Sequence, residues 1–353
     1  MWFEPKSDGR SLMSRLLDRN LSDDHDFSND QLGLPQDVVW ENRLRPKGFD
    51  EFPGQDEIKN KLCVFVEAAV KRGEPLDHTL LSGPPGLGKT TLARIIANAM
   101  GADFRATSGP ALDKKGDLAA ILTSLTPNCV LFIDEIHRLN RTVEEYLYSA
   151  MEDYQIDIVT GEGLGAQTMQ FPLAPFTLIG ATTRAGLLNA PFRDRFGILE
   201  RLQFYDHGSL QQIALRSASL LEIEIDQDGA AQIAARSRGT PRIVNRLLKR
   251  VRDYAEVKGQ GLIDRTIAEF ALTQLGVDFA GLDAMDRRIL DLLKNQFAGA
   301  PVGIETLSAA LSEERDTLEE VYEPYLLQEG YIQKTNRGRI ITDTGKKHCE
   351  AVG

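Results

Sequence analysis

The sequence predicts an α/β fold with a parallel sheet, followed by a small helical domain and a winged-helix domain. Short apolar segments alternate with amphipathic ones from Val38 to Phe204, as they do where helices connect parallel strands. The strand pattern stops there, and only helical periodicity continues to about Gly276. The last segment contains three amphipathic helices and then two short strands, the order of a winged helix-turn-helix.

Length and composition limit the possible classes of function. The 353 residues suffice for two or three domains, and 41 Lys and Arg against 52 Asp and Glu give a net charge of −11, which excludes a generally basic nucleic-acid-binding surface. There is neither a secretory signal nor the ~18-residue apolar run of a membrane span, so we expect a soluble, cytoplasmic protein without membrane contact. Cys63, Cys129 and Cys349 are far apart, so we expect reduced thiols and no zinc site.

Changes of pattern along the chain give the predicted boundaries. We expect a poorly ordered acidic leader over residues 1–38, a large α/β domain over 39–206, a helical domain over 207–277 and a winged-helix domain over 278–353. The strands of the large domain are predicted at Thr79–Ser82, Asp103–Thr107, Val130–Ile133, Phe176–Ala181 and Leu199–Phe204.

One insertion interrupts the alternation of strands and helices. Residues 155–171 place a glycine-rich tip between two short alternating segments, a pattern typical of a β-hairpin. Four apolar residues of this hairpin form a candidate exposed surface for a partner: Ile156, Ile158, Leu164 and Met169.

A phosphate-binding loop is the strongest functional signal. The segment GPPGLGKT, residues 83–90, matches GxxxxGK(S/T) between a predicted strand and the helix TLARIIANAM. Glycines let backbone N–H groups close around phosphate, and the helix N-terminus adds positive potential. Lys89 is expected to reach the β- and γ-phosphates, while the Thr90 hydroxyl is an expected Mg²⁺ ligand.

Further candidate catalytic groups follow later strands. Asp134 and Glu135 end the apolar segment VLFIDE, where Asp134 is expected to hold Mg²⁺ through water and Glu135 to polarise the attacking water. Thr183 follows the next strand, at the edge of a parallel sheet where ligands bind. Arg195 precedes the fifth strand and suits γ-phosphate recognition from a neighbouring subunit, with a surface salt bridge to Asp194 as the alternative.

The basic residues favour backbone contact with DNA. The predicted recognition helix is acidic and would be repelled by phosphate, whereas the wing contains Lys334, Arg337 and Arg339. We therefore predict that these three residues and Arg287 contact phosphates without reading bases. The basic stretch 236–252 is either a second DNA-facing surface or a solvated helix face, except that Arg242 begins a new helix and is a candidate for facing the nucleotide.

Together these motifs resemble those of the AAA+ ATPases, and their amino-acid sequences are most similar to the RuvB family. The similar segments span about Trp40 to about Lys347 and include GPPGLGKTTLA, LFIDEIHRL, AMEDYQIDI, IGATTRAGLL, PFRDRFGI and RGTPRIVNRLLKRVRDYAEVKG. The resemblance implies an AAA+ P-loop domain, a helical lid and a winged helix. It further implies a homohexameric ring on duplex DNA that uses ATP and Mg²⁺ to drive branch migration of Holliday junctions in recombination, DNA repair and the SOS response. RuvA and the RuvC resolvase are the implied partners.

The resemblance also implies residue roles. Gly86, Gly88, Lys89, Thr90 and Thr91 would hold phosphate and Mg²⁺, Thr183 would be the first sensor, Arg195 a finger acting in trans and Arg242 the second sensor. Other implied nucleotide contacts are Leu44, Arg45, Glu152, Asp153, Tyr154 and Tyr205. Residues 155–171 would dock on RuvA. The family's wing commonly has RTPRGR where this chain has KTNRGR, so we expect a stronger DNA contact at Arg339 than at Lys334.

Two other interpretations remain open at this point. One is an ATP-dependent DNA-binding switch or clamp-loader-like subunit that does not translocate. The other is a winged-helix transcription regulator with a decayed ATPase core, against which the intact Lys89, Asp134, Glu135 and Arg195 argue.

Overall fold

The computed structural model describes Trp40, residues 43–160 and residues 167–352. The predicted leader, residues 1–38, lies outside them. One compact unit ends at Leu44 and a second begins at Arg45, and the elements below belong to the second.

A five-stranded parallel sheet organises the first part of this unit. The strands are, in chain order, β1 Thr79–Ser82, β2 Phe104–Ser108, β3 Val130–Asp134, β4 Gln155–Thr160, β5 Gln167–Pro172, β6 Thr177–Thr182 and β7 Ile198–Arg201. The sheet order is β2-β3-β6-β1-β7 and every pair is parallel. The predicted parallel sheet and its five strands are therefore confirmed, except that β7 is shorter than predicted. It ends because its partner β1 ends at Ser82, whose carbonyl accepts from Leu202 N at 2.9 Å.

Helices cover both faces of the sheet. They are α1 Asp56–Arg72, α2 Lys89–Met100, α3 Lys115–Thr123, α4 Arg141–Glu152 and the short α5 Ala190–Arg193. Successive strand residues point to opposite faces, so Leu81 belongs to the apolar cluster of α1 and α2, while Leu80 belongs to that of α3 and α4. Both faces are thus buried, and the loops at the strand ends remain for ligands.

The predicted hairpin is confirmed, but its apolar surface differs from the prediction. Strands β4 and β5 pair antiparallel, with Ile156 opposite Phe171. Ile156 is fully buried in the core and Ile158 is half-buried, because β4 continues directly from α4 and packs with it. Met169 and Phe171 are 60% and 43% exposed, whereas Leu164 lies outside the described residues.

A helical segment follows β7 and shares a core with the sheet. Its helices are α6 His207–Leu220, α7 Gln227–Ala235, α8 Pro241–Lys258 and α9 Arg265–Gln274. Their buried side chains, such as Ile233 and Val244, belong to the same apolar cluster as the α1 and α2 face of the sheet. The helical segment is thereby held beside the end of β1.

A winged helix ends the described chain. Helix α10 Ala284–Asp291 continues into a π-helical segment Leu292–Gln296, and α11 is Ile304–Leu311. Helix α12 consists of the consecutive segments Arg315–Thr317, Leu318–Tyr322 and Glu323–Gln328, and the wing consists of β8 Ile332–Thr335 and β9 Gly338–Ile341. These elements have their own apolar core. A final helix, α13 Asp343–Val352, was not predicted.

Two expectations from composition can be compared with the described residues. Cys63, Cys129 and Cys349 are free thiols, as predicted. Among residues 43–160 and 167–352, no helix is long and apolar enough to cross a membrane.

Candidate nucleotide-binding site

The backbone of the loop between β1 and α2 is shaped by glycine. Gly83, Gly86 and Gly88 have φ of 137°, 82° and 93°, a region that residues with a Cβ rarely adopt. Helix α2 begins at Lys89, and its capping residue Gly88 has no side chain that could accept a hydrogen bond from the first N–H groups. No acidic residue lies in its first turn. The free N–H groups and the positive helix end therefore provide an anion site of the kind predicted from GPPGLGKT.

Lys89 lies inside this loop. Its side chain is 8% exposed, and Nζ donates to Gly83 O at 2.7 Å and Pro84 O at 2.9 Å. Burial lowers the pKa of Lys89 to about 8, although the nearby carboxylate of Asp134 acts in the opposite direction. Thr90 and Thr91 follow on the first turn of α2 and are half-buried. The loop thus holds its cation by exchangeable carbonyl contacts that a phosphate group can replace.

Two acids stand at the end of β3. Asp134 is the last residue of the strand, and its Oδ1 accepts from Glu135 N at 2.9 Å. Glu135 has φ of 48°, a left-handed conformation that is uncommon for a residue other than glycine. Its carboxylate pairs with Arg138 Nη1 at 3.0 Å. Strained backbone of this kind is concentrated at functional sites, which supports a functional role for Glu135.

The neighbouring strand β6 brings hydroxyl groups to the same edge. Thr182 Oγ1 lies 3.0 Å from His137 Nδ1 and accepts from Arg184 N at 3.0 Å, so this threonine organises the loop. Burial lowers the pKa of His137. Thr183 Oγ1 instead donates to Glu320 Oε2, a residue of α12, at 3.4 Å. Because β3 and β6 are adjacent and parallel, Asp134 and Thr183 leave the sheet at the same edge.

The helical segment meets the loop at Arg242 and Tyr205. Arg242 N donates to Gly86 O at 3.4 Å, and a Cβ added to Gly86 would lie 3.0 Å from Arg242 Cβ. The hydroxyl of Tyr205 donates to Leu87 O at 3.0 Å, and burial raises the pKa of this phenol. Both residues predicted from the sequence therefore contact the loop.

Arg195 and the segment after α4 have other partners within this chain. Arg195 Nη1 donates to Pro191 O at 2.6 Å, Nη2 pairs with Glu152 Oε1 at 3.1 Å, and the guanidinium lies 4.4 Å from the centroid of the Tyr148 ring. Its ion pair is thus with Glu152 and not with the Asp194 that the alternative required. The Tyr154 ring packs against Phe176 at 5.8 Å. These contacts are made with α4, α5 and the start of β6 and not with the phosphate-binding loop.

Three other residues that are predicted to contact the nucleotide differ in their exposure. Asp153 is exposed, Arg45 is half-buried and Leu44 is buried. The structure therefore brings together the loop, Asp134, Thr183, Tyr205 and Arg242. Arg195 pairs with Glu152 instead, and Tyr154 packs against Phe176.

The wing differs from the prediction at Arg339. This guanidinium is 5% exposed, and Nη2 donates to Glu319 Oε1 at 2.8 Å while Nε donates to Glu323 Oε1 at 2.5 Å. A buried arginine with two carboxylate partners is not available to a DNA phosphate. The burial of Arg339 argues against the prediction that it is the stronger DNA contact, because Glu319 and Glu323 of α12 face it in the fold.

The other predicted DNA contacts are placed differently from one another. Arg337 is exposed on the turn between β8 and β9, and Lys334 is exposed with Glu319 at 3.6 Å. Arg287 is half-buried, and its Nη1 donates to Gly276 O at 2.9 Å and Leu282 O at 2.8 Å. Its contacts support the connection into α10, so of the four predicted DNA contacts Lys334 and Arg337 are the two exposed at the wing surface.

Sequence reasoning missed the contact between α12 and the segment after β6. Arg184 pairs with Asp316 at 3.0 Å and with Glu320 at 2.9 Å, next to Thr183. From the sequence alone, the acidic helix is predicted only to repel DNA. A signal was present, because Asp316, Glu319, Glu320 and Glu323 have the spacing of one helix face.

Comparison with known proteins adds to this geometry. Three family models match consecutive parts of the chain: the RuvB P-loop domain of the Holliday junction DNA helicase over 44–202, the RuvB AAA lid domain over 205–278, and the RuvB C-terminal winged helix domain over 279–350. The Holliday junction branch migration complex subunit RuvB of Bdellovibrio bacteriovorus is 72% identical over 307 residues, covering 87% of this chain and 93% of that protein. This chain belongs to the RuvB family.

Other members of the RuvB family agree with this assignment. The same subunit from Fusobacterium nucleatum is 56% identical over 322 residues, covering 91% of this chain and 97% of that protein. The solved structure of the Thermotoga maritima RuvB Holliday junction branch migration motor aligns with a TM-score of 0.80 at 52% identity, covering 87% of this chain and 98% of that one. The predicted AAA+ P-loop domain, lid and winged helix are thereby confirmed as the fold class.

Proposed function

We propose that this chain is the ATP-hydrolysing motor subunit that drives branch migration of Holliday junctions. The observation that supports it most is the convergence of the phosphate-binding loop, Asp134, Thr183 and Arg242 at one edge of the sheet, in a member of the RuvB family. Its relatives are named for branch migration. An ATP-dependent DNA-binding switch would have the same nucleotide site, and the two are separated by whether junction strands are exchanged.

The residues at this edge fit a bound Mg²⁺. Thr90 and Asp134 offer the oxygen ligands that Mg²⁺ prefers, and Asp134 Oδ2 has no protein hydrogen-bond partner among the described residues. Those residues contain no cluster of three His, Cys, Asp or Glu side chains, so the remaining ligands would be phosphate oxygens and water. When bound, Mg²⁺ neutralises charge that develops on the β- and γ-phosphates.

The protein groups would act on ATP in named roles. Lys89 and the N–H groups of residues 86–91 bind the phosphates, with Tyr205 holding the loop through Leu87 O. Glu135 orients and polarises the attacking water, and Thr183 donates to the γ-phosphate. Arg195 lies with Glu152 apart from its own loop, which supports a role for this group at the nucleotide of the neighbouring subunit of a homohexamer.

The same proposal covers the domains and the partners. The chain divides at about 206 and 277 into an ATPase domain, a lid and a winged helix. Lys334 and Arg337 contact duplex DNA phosphates. The hairpin docks on RuvA through its exposed Met169 and Phe171, and the RuvC resolvase is a further partner in the cytoplasm.

Two substitutions test the nucleotide chemistry. Lys89→Ala is expected to abolish nucleotide binding or turnover, because it removes the buried cation of the loop. Glu135→Gln is expected to retain binding and block hydrolysis, because it removes only the carboxylate that polarises water. ATP binding is measured by calorimetry and phosphate release by a coupled assay. Substantial turnover in both variants would exclude this mechanism.

A further inference from the structure

One face of α12 is bound to the segment that follows β6. Arg184 Nε pairs with Glu320 Oε1 at 2.9 Å, and its Nη2 lies 3.0 Å from Asp316 Oδ1 and 3.8 Å from Glu319 Oε2. The three carboxylates are spaced by three and four residues, so they share a face of the helix. We call Asp316, Glu319 and Glu320 the acidic latch.

The acidic latch reaches into the nucleotide site through Glu320. Its Oε2 accepts from the hydroxyl of Thr183 at 3.4 Å. Burial lowers the pKa of His137, and Glu320 is the strongest influence in the opposite direction. The charge of Glu320 also acts on Lys89 of the phosphate-binding loop. A winged-helix carboxylate therefore lies within electrostatic range of the groups that would surround a γ-phosphate.

We propose that Glu320 makes the site discriminate ATP from ADP, because Glu320 and the γ-phosphate are alternative partners of Thr183. The hydroxyl has one proton to donate, and two anions at one donor repel each other. Binding of ATP therefore displaces Glu320 and opens the acidic latch, whereas ADP leaves it closed. The inference rests on the proposed role of Thr183 as the residue that contacts the γ-phosphate.

The contacts of the acidic latch continue to the wing. Glu319 binds Arg339 at 2.8 Å and lies 3.6 Å from Lys334, so opening the latch alters the partners of wing cations. A second set of contacts attaches the winged helix to the helical segment: Arg238 pairs with the buried Asp286 at 2.9 Å and lies 5.1 Å from the centroid of the Tyr325 ring. The nucleotide site and the wing are thus connected by ion pairs on one face of α12.

The test compares nucleotide affinities of the full chain. Dissociation constants for ADP and for the non-hydrolysable ATP analogue AMP-PNP, both with Mg²⁺, are measured for the wild type, Glu320→Gln and Glu314→Gln. Glu320→Gln keeps the shape of the side chain and removes the competing charge, so AMP-PNP should bind about fivefold to tenfold more tightly. The ADP constant should change less than about twofold. Glu314 is an exposed acid at the start of α12, and its variant should behave as wild type.

The possible results of these titrations lead to different conclusions. Unchanged affinities in Glu320→Gln, or equal tightening for both nucleotides, would overturn the inference while leaving the proposed function intact, since the wild type would still bind. Absence of binding by the wild type would overturn the proposed function and the inference together. An AMP-PNP gain of the same size in Glu314→Gln would show a general charge effect and also overturn the inference.

Discussion

Raising the pH should weaken nucleotide binding through Lys89. Burial lowers the pKa of this ammonium group to about 8, so it is charged at neutral pH and loses its proton as the pH rises through that value. A bound phosphate interacts with the charged form of Lys89 and so returns the pKa of this ammonium group to its ordinary value. The apparent dissociation constant then grows in proportion to 1 plus ten to the power of pH minus pKa, which is an increase of about eightfold between about pH 7.5 and about pH 9.

The assay is fluorescence titration of a labelled ATP analogue across this pH range. Lys89→Arg is the matched control, because a guanidinium keeps its charge throughout and reports any titration of the nucleotide itself. A dissociation constant of the wild type that stays flat, or that rises by the same factor in Lys89→Arg, would refute the argument from Lys89.

Three further predictions concern the wing and the ring. Gly338→Ala would place a Cβ 2.2 Å from Val302 O at a φ of 134°. The winged helix should therefore lose about 2 kcal/mol or more of its free energy of unfolding, measured by calorimetry. An unchanged unfolding midpoint would contradict this. Arg339→Ala leaves the buried Glu323 without its cation and should cost about 3–5 kcal/mol of stability. Lys334→Ala should change stability by less than about 1 kcal/mol and should reduce the salt dependence of DNA binding. A larger loss of stability in Lys334→Ala than in Arg339→Ala would contradict these roles. Mixing Arg195→Ala with Lys89→Ala should restore part of the ATPase activity if Arg195 acts across subunits, and mixed rings without activity would exclude that.

Most of the sheet was predictable because its signals are local. Strands β1, β3 and β6 are short apolar runs that end at a glycine, an acid or a threonine, and they were placed almost to the residue. The end of β7 was not, because it is set by the end of its partner β1 and not by its own residues. Pairing with a neighbour is a property of the fold that a single sequence shows only weakly.

In the candidate site, too, local features could be predicted from the sequence and contacts between distant elements could not. The loop from Gly83 to Thr90 and the acids after β3 were found because backbone geometry and chemistry coincide in a few consecutive residues. The burial of Arg339 could not be predicted because its partners Glu319 and Glu323 come from another element. The predicted exposure of Ile156 is wrong for a related reason, since the start of the hairpin packs in the core. The contact of Arg184 with Glu320 joins residues 136 positions apart, beyond the reach of spacing rules.

The central claim is that ATP turnover by this chain moves the strands of a Holliday junction. The most direct measurement follows release of duplex product from a four-way junction together with ATPase activity in the same tubes, with and without RuvA. We predict release that requires ATP, RuvA and Lys89. ATP turnover with junctions that stay intact in every tube would contradict the claim and favour a DNA-binding switch.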